Sequence, residues 1–76
     1  MGEHEYQFTI IMEPCEEGGY YAECPSLPGC HVQGDTYEET LSEMRSALSA
    51  FLDDYRNEGE AIPEDSVTVT SLKIAI

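Results

Sequence analysis

The sequence predicts an α+β fold of order β-β-β-α-β, with four strands in the sheet order 3-2-1-4 and one helix on one face. Three observations carry this reading. Apolar and polar residues alternate ahead of Pro14, the period of a strand with one buried face. From Leu41 to Tyr55 apolar residues recur at steps of three and four, the period of a helix with an apolar stripe. Clusters of Gly and Pro cut the remaining chain into short extended pieces.

In the first strand Tyr6, Phe8, Ile10 and Met12 share one face, and Gln7, Thr9 and Glu13 the other, where Ile11 is the apolar exception. Pro14 cannot donate to a ladder and ends the strand. Cys15-Glu16-Glu17-Gly18-Gly19 makes a tight connection, its two glycines free to take positive φ, and residues 20–24 complete a hairpin. Pro25-Ser26-Leu27-Pro28-Gly29 forms a loop or crossover, followed by a short third strand over residues 30–33. Thr36 is the expected helix N-cap, with Glu39 three residues on to close a capping box, and Glu38 and Glu39 suit the positive end of the helix dipole. Leu41, Met44, Leu48, Phe51, Leu52 and Tyr55, with Ala47 between them, form the stripe of one helix. At about 20 residues it would be roughly 30 Å long. Gly59 is the expected C′ residue, residues 61–66 a polar loop, and residues 67–76, rich in Val, Thr and Ile, the last strand.

A meander followed by a returning helix sets the fourth strand parallel to the first, and right-handed crossover places it beside the first. One helix covers one face only. The other face carries Ile11 and Tyr21, so a second copy against that face or a sheet edge adds buried area, and a homo-oligomer (dimer or tetramer) is expected. Residues 1–76 read as a single domain without a DNA-binding domain.

A chain of 76 residues is only marginally stable by itself. Disulfides are not the expected remedy: three cysteines is an odd number, and the polar MGEHEYQF start carries no secretory signal. Tyr6 stands where a myristoylation signal needs Ser or Thr. No apolar run reaches membrane-spanning length, so a cytoplasmic protein with no membrane partner is expected. Sixteen Asp and Glu face three Lys and Arg, a net charge of −13. Nucleic-acid binding rests on cations that displace phosphate counterions, and Arg45, Arg56 and Lys73 are too few to bind DNA or RNA directly. A basic macromolecular partner matches the charge.

Cys15, Cys24, Cys30 and His31 are the right types for a zinc site, but the gaps C-x₈-C and C-x₅-C are not the short knuckles of structural zinc. Cys30 and His31 are adjacent on a strand and point to opposite faces. No metal or other cofactor is expected. Neither His4 nor His31 is placed to activate a cysteine nucleophile. The topology also resembles that of ribonuclease H, whose carboxylates surround two metal ions, yet Glu13 lies at the end of its strand and the middle positions are Phe8, Thr9 and Ile10. The phosphate-loop pattern is absent. Tyr20, Tyr21 and Tyr37 serve either as interface anchors or as filling for the faces of a small sheet.

An ordered series of motifs goes further: Glu13-Pro14, the run from Gly18-Gly19-Tyr20-Tyr21 through Ala22-Glu23-Cys24-Pro25, then Leu27-Pro28-Gly29-Cys30, Gln33-Gly34-Asp35-Thr36, Glu38-Glu39-Thr40-Leu41, Glu58-Gly59-Glu60 and Ile62-Pro63. Over residues 5–66 this series closely resembles the HicB-like antitoxin family. The resemblance implies a partial ribonuclease H-like fold and a type II toxin–antitoxin role. In that role the chain masks the catalytic histidine and RNA surface of a small basic HicA-like toxin that cleaves messenger RNA. Two departures stand out. Many members carry a helix-turn-helix or ribbon-helix-helix domain after the fourth strand, which this sequence lacks, and Thr40 stands where alanine is common.

The expected function is therefore that of a neutralising binding module and not an enzyme. Its candidate contacts are Glu16 and Glu17 at the hairpin tip, Tyr21 and Glu23 on the second strand, and Asp35 and Glu38 at the helix start. The alternatives are an orphan oligomeric domain that binds a small ligand, and a degenerate ribonuclease H-like metal-dependent nuclease that would need Glu13.

Overall fold

The computed structural model describes residues 5–76; His4, with the three residues before it, lies outside the described residues. Four elements form: β1 (Ile11–Pro14), β2 (Tyr20–Glu23), β3 (His31–Gly34) and α1 (Tyr37–Asn57). The strands make an antiparallel meander in the order β1-β2-β3. Its cross-strand rows are Ile11–Glu23–His31, Met12–Ala22–Val32, Glu13–Tyr21–Gln33 and Pro14–Tyr20–Gly34.

The period-two pattern sets the inner face. Ala22, Cys24 and Cys30 are buried there with Leu27 and Met44, and Phe8, Ile10, Met12 and Val32 pack around them. The loop between β2 and β3 is part of this core. It turns twice, through Leu27 N–H to Cys24 O (3.1 Å) and Cys30 N–H to Leu27 O (3.0 Å), which drives Leu27 fully under the helix. Full burial of a leucine is worth about 1.5–3 kcal/mol.

Helix α1 starts as its cap residues dictate. Glu39 N–H donates to Thr36 Oγ1 at 3.0 Å, and the Glu39 carboxylate accepts from the Asp35 N–H at 3.3 Å, one residue earlier than a standard capping box. It ends in a Schellman arrangement: Gly59 at φ 70° gives its N–H to Arg56 O, and Glu60 N–H reaches back to Tyr55 O at 2.9 Å. Met44, Ala47, Leu48, Phe51 and Tyr55 face the sheet as their spacing predicts. On the first turn the inward residue is Thr40, fully buried, while Leu41 is exposed. The Thr40 hydroxyl donates to Thr36 O at 2.7 Å, so the buried oxygen costs little. Thr40 lies directly on Gly34, where a Cβ would come within 2.6 Å of its Oγ1 and 3.0 Å of its backbone nitrogen.

Two strand expectations need correction. The first strand begins at Ile11 and includes Pro14, where the sequence predicts a start near Tyr6 and a stop before Pro14. Phe8 and Ile10 keep their inward face, but the ladder ends at the Ile11–Glu23–His31 row because the chain turns away at Cys24. Pro14 is tolerated because β1 is an edge strand. The fourth strand is not formed: residues 60–76 are irregular, and the order 3-2-1-4 is observed only as its three-stranded part. Residues 67–76 have high β propensity, but that propensity acts through pairing and side-chain cover, and here Val69, Leu72 and Ile74 are left exposed.

The root of this segment is tied to Thr9, two residues ahead of β1. Thr9 N–H and Thr9 Oγ1 donate to the two oxygens of Asp65 at 3.0 and 2.8 Å, Ser26 Oγ donates to Asp65 at 2.9 Å, and Thr9 Oγ1 also lies 3.2 Å from Val67 O. The bonds from the Thr9 backbone and hydroxyl hold the Asp65 carboxyl below the usual carboxylate range.

Two outcomes follow. Gly34→Ala forces Thr40 and the helix off the sheet and should cost about 1–3 kcal/mol in urea unfolding; a loss under about 0.5 kcal/mol contradicts this contact. Because the Asp65 pKa is depressed on folding, its contribution is complete above the free carboxylate range of about 3.9 and is lost as pH falls through the lower folded value. Asp65→Asn should therefore be less stable than the parent at neutral pH, with the gap closing as pH drops below about 4. A gap independent of pH contradicts the charge-assisted tie.

Candidate partner-binding face

The helix covers the inner face of the sheet, and the outer face is open. Alternation along the strands puts Ile11 and Glu13 of β1, Tyr21 and Glu23 of β2, and His31 and Gln33 of β3 on that outer face. Tyr21 occupies the middle strand, directly between Glu13 and Gln33, with Glu23 two residues along the same face. Its ring leans on the His31 ring at 5.9 Å between centroids, tilted by 31°. Partial desolvation, then the charge and hydrogen bond of Glu23 and the charge of Glu13, push the Tyr21 phenol above its ordinary pKa. Tyr21 thus keeps a hydroxyl, donor and acceptor at once, between the carboxylates of Glu13 and Glu23.

The other four expected contacts gather at one end of the sheet. Glu16 and Glu17 form the β1–β2 turn, closed by Gly18 N–H to Cys15 O and Cys15 N–H to Gly19 O, both at 3.0 Å. Gly19 stands against Gly34 O and Asp35 Cα, so this turn abuts the start of α1, where Asp35 and Glu38 are exposed. A shallow groove beside them is lined by Gln33, Asp35, Glu39, Ser42 and Glu43. The six expected contacts therefore fall into two neighbouring groups: Tyr21 and Glu23 on the open face, and Glu16, Glu17, Asp35 and Glu38 at its hairpin end. From Tyr20 to Glu23 the strand covers only about 10 Å.

Three polar outer-face residues were not among the expected contacts. Glu13, His31 and Gln33 join Tyr21 and Glu23 once the antiparallel register is known, and period-two alternation is the signal that leads to them. Gln33 also donates to Cys15 Sγ at 3.7 Å, linking the face to the hairpin.

The cysteines sit elsewhere. Cys24 and Cys30 oppose each other on the inner face, with Cys24 N–H donating to Cys30 O at 2.9 Å and Cys30 Sγ lying 3.8 Å from Met44 Sδ. Burial pushes both thiols up, the reverse of what a nucleophile or metal ligand needs. Cys15 is half-buried near Gln33, and His31 projects from the face opposite to Cys30. Among the described residues no group of three His, Cys, Asp or Glu side chains is placed to hold a metal ion. Among the same residues no helix is long and apolar enough to cross a membrane.

Fold and site together define a small acidic α+β domain with one covered and one open sheet face. The chain belongs to the HicB-like antitoxin family: residues 8–74 match the model for the HicB_like antitoxin of bacterial toxin–antitoxin systems. It is similar to a UPF0150 protein of Synechocystis, 35% identical over 93% of this chain and 90% of the relative. A UPF0150 protein of Thermoplasma acidophilum is 35% identical over 79% of this chain and 87% of the relative. Antitoxin HicB 1 of Photorhabdus laumondii is 39% identical over 75% of this chain, a match that spans 37% of that longer protein.

Proposed function

We propose that this chain is an antitoxin-type binding module that neutralises a small basic HicA-like mRNA-cleaving toxin by covering its active site. The observation that carries the reading is the open outer face, where Tyr21 lies among Glu13, Glu23 and His31 in a chain of the HicB-like antitoxin family. An RNA-cleaving enzyme binds phosphates with cations, and carboxylates held on a rigid sheet compete for the same cations. A net charge of −13 steers a basic partner to the face and rejects acidic ones. Tyr21 provides the amphipathic anchor at the middle, with a neutral hydroxyl to share.

The module acts by occlusion and performs no chemistry. In this reading it is a single cytoplasmic domain that associates with itself, binds no nucleic acid directly and needs no cofactor. Glu16, Glu17, Asp35 and Glu38 extend the contact beyond Tyr21 and Glu23.

The test is a pull-down from the host lysate with tagged chain at low and high salt, followed by an RNA-cleavage assay on what is recovered. A small basic protein should bind at low salt and leave at high salt, and its RNA cleavage should stop when the chain is added back. The double change Glu16→Lys and Glu23→Lys should weaken the association by about tenfold or more. Unchanged cleavage at saturating chain overturns the proposal. So does cleavage of RNA by the chain itself with Mg²⁺ or Mn²⁺, lost in Glu13→Gln, which is the outcome of the nuclease alternative.

A further inference from the structure

We propose that residues 67–76 form a strand by exchange, each tail pairing with the open edge of a second copy of this chain. The inference concerns the chain alone and does not rest on the antitoxin reading.

Four observations converge on it. The segment, VTVTSLKIAI, is rich in β-branched residues and holds no Gly or Pro, yet it is irregular. Its Val69, Leu72 and Ile74 are 69, 83 and 75% exposed, side chains that a small domain gains most by covering. The sheet supplies what such a segment lacks: β1 lies at an edge and pairs with no strand but β2 among the described residues. The root of the tail is already fixed just ahead of that edge, through Asp65 and Val67 on Thr9, two residues before β1.

The alternation of the segment selects a second copy over pairing within one chain. Val67 and Val69 share one face of an extended strand, whereas Leu72, Ile74 and Ile76 share the other. Pairing within one chain covers only the side that α1 occupies. A strand held between two copies has apolar cover available on both sides, and Ile11 on the outer face stands beside the edge to contribute to it. Charge agrees: all sixteen carboxylates precede residue 67, and Lys73 is the only charged side chain of the tail. The tail therefore meets the acidic body of another copy without like-charge repulsion.

Symmetry also favours the exchange. Each copy offers the β1 edge, beside which the tail is rooted, and one tail. A two-fold exchange uses both and leaves no open apolar strand, whereas head-to-tail donation would run on into fibres. The tail can span roughly 30 Å when extended, enough to cross to a partner. The exchange lays the ten-residue tail of each copy along the four-residue β1 edge of the other.

The experiment uses the full chain. Light scattering after size exclusion should give twice the 8.5 kDa chain mass. In an equal mixture of isotope-labelled and unlabelled chains, isotope-filtered NOEs should connect the Leu72 and Ile74 methyl groups of one chain to β1 of the other. The double change Leu72→Glu and Ile74→Glu should halve the mass with the helical signal kept, since neither residue enters the core. A monomeric parent chain overturns the proposal, and so does an oligomer in which tail-to-β1 NOEs arise only within a chain. The NOE reading on the parent protein decides the matter even if the double variant fails to fold.

Discussion

One helix can cover only one face of a sheet, and almost everything in this molecule follows from that. Helix α1 packs on β3 and β2, and the closest approach is Thr40 on Gly34. Any side chain at position 34 would lift the first turn, so the depth of the core beneath is set there. The space that remains is filled by small and pliable groups: Ala22, two cysteines, Met44 and the loop residue Leu27. Sulfur and methyl groups suit a thin, irregular core, since a methionine adapts to gaps and a free cysteine behaves as a small hydrophobe. Burial keeps both thiols protonated, which makes them packing groups rather than reagents.

The uncovered face is then free to carry charge that a core could not hold. Glu13 and Glu23 lie exposed or half-exposed across and along the sheet from Tyr21, where water still solvates them and no partner cation is required. Such a surface is poised to exchange water for cations supplied by another molecule. The hairpin end adds Glu16, Glu17 and Asp35 without a change of fold, because Gly19 lets the turn close against the start of the helix. Rigidity comes from the register of the meander, so the carboxylates are presented at fixed spacing and little entropy is lost when a partner docks.

The helix was legible in the sequence almost to the residue. Thr36, Glu39 and Gly59 carry their meaning locally, through bonds that span three to five residues. The three-stranded meander was legible too, because Gly18-Gly19 and the Pro-rich loop mark where the chain must turn. Three features were not. Thr40 replaces Leu41 as the inward residue because its hydroxyl can be satisfied by Thr36 O, a compensation that hydrophobic periodicity does not register. Leu27 enters the core from a loop, where no period exists to announce it. The tie between Asp65 and Thr9 spans 56 positions, and no local pattern encodes it. Of the six expected contacts, Tyr21 and Glu23 emerge on one face from alternation alone, whereas their neighbours Glu13, His31 and Gln33 required the register. The last strand was legible as propensity but not as structure, since propensity supplies no partner.

The open face as the working surface is tested by backbone amide NMR of the chain, titrated with whatever basic protein the low-salt pull-down recovers. Shift changes should concentrate at Glu13, Tyr21, Glu23 and Gln33 and spread to Glu16, Glu17 and Asp35, with the Ala22, Cys24 and Met44 amides little moved. Changes concentrated instead on the solvent side of α1, at the exposed Glu43, Ser46 and Ala50, with Tyr21 and Glu23 undisturbed, would contradict it.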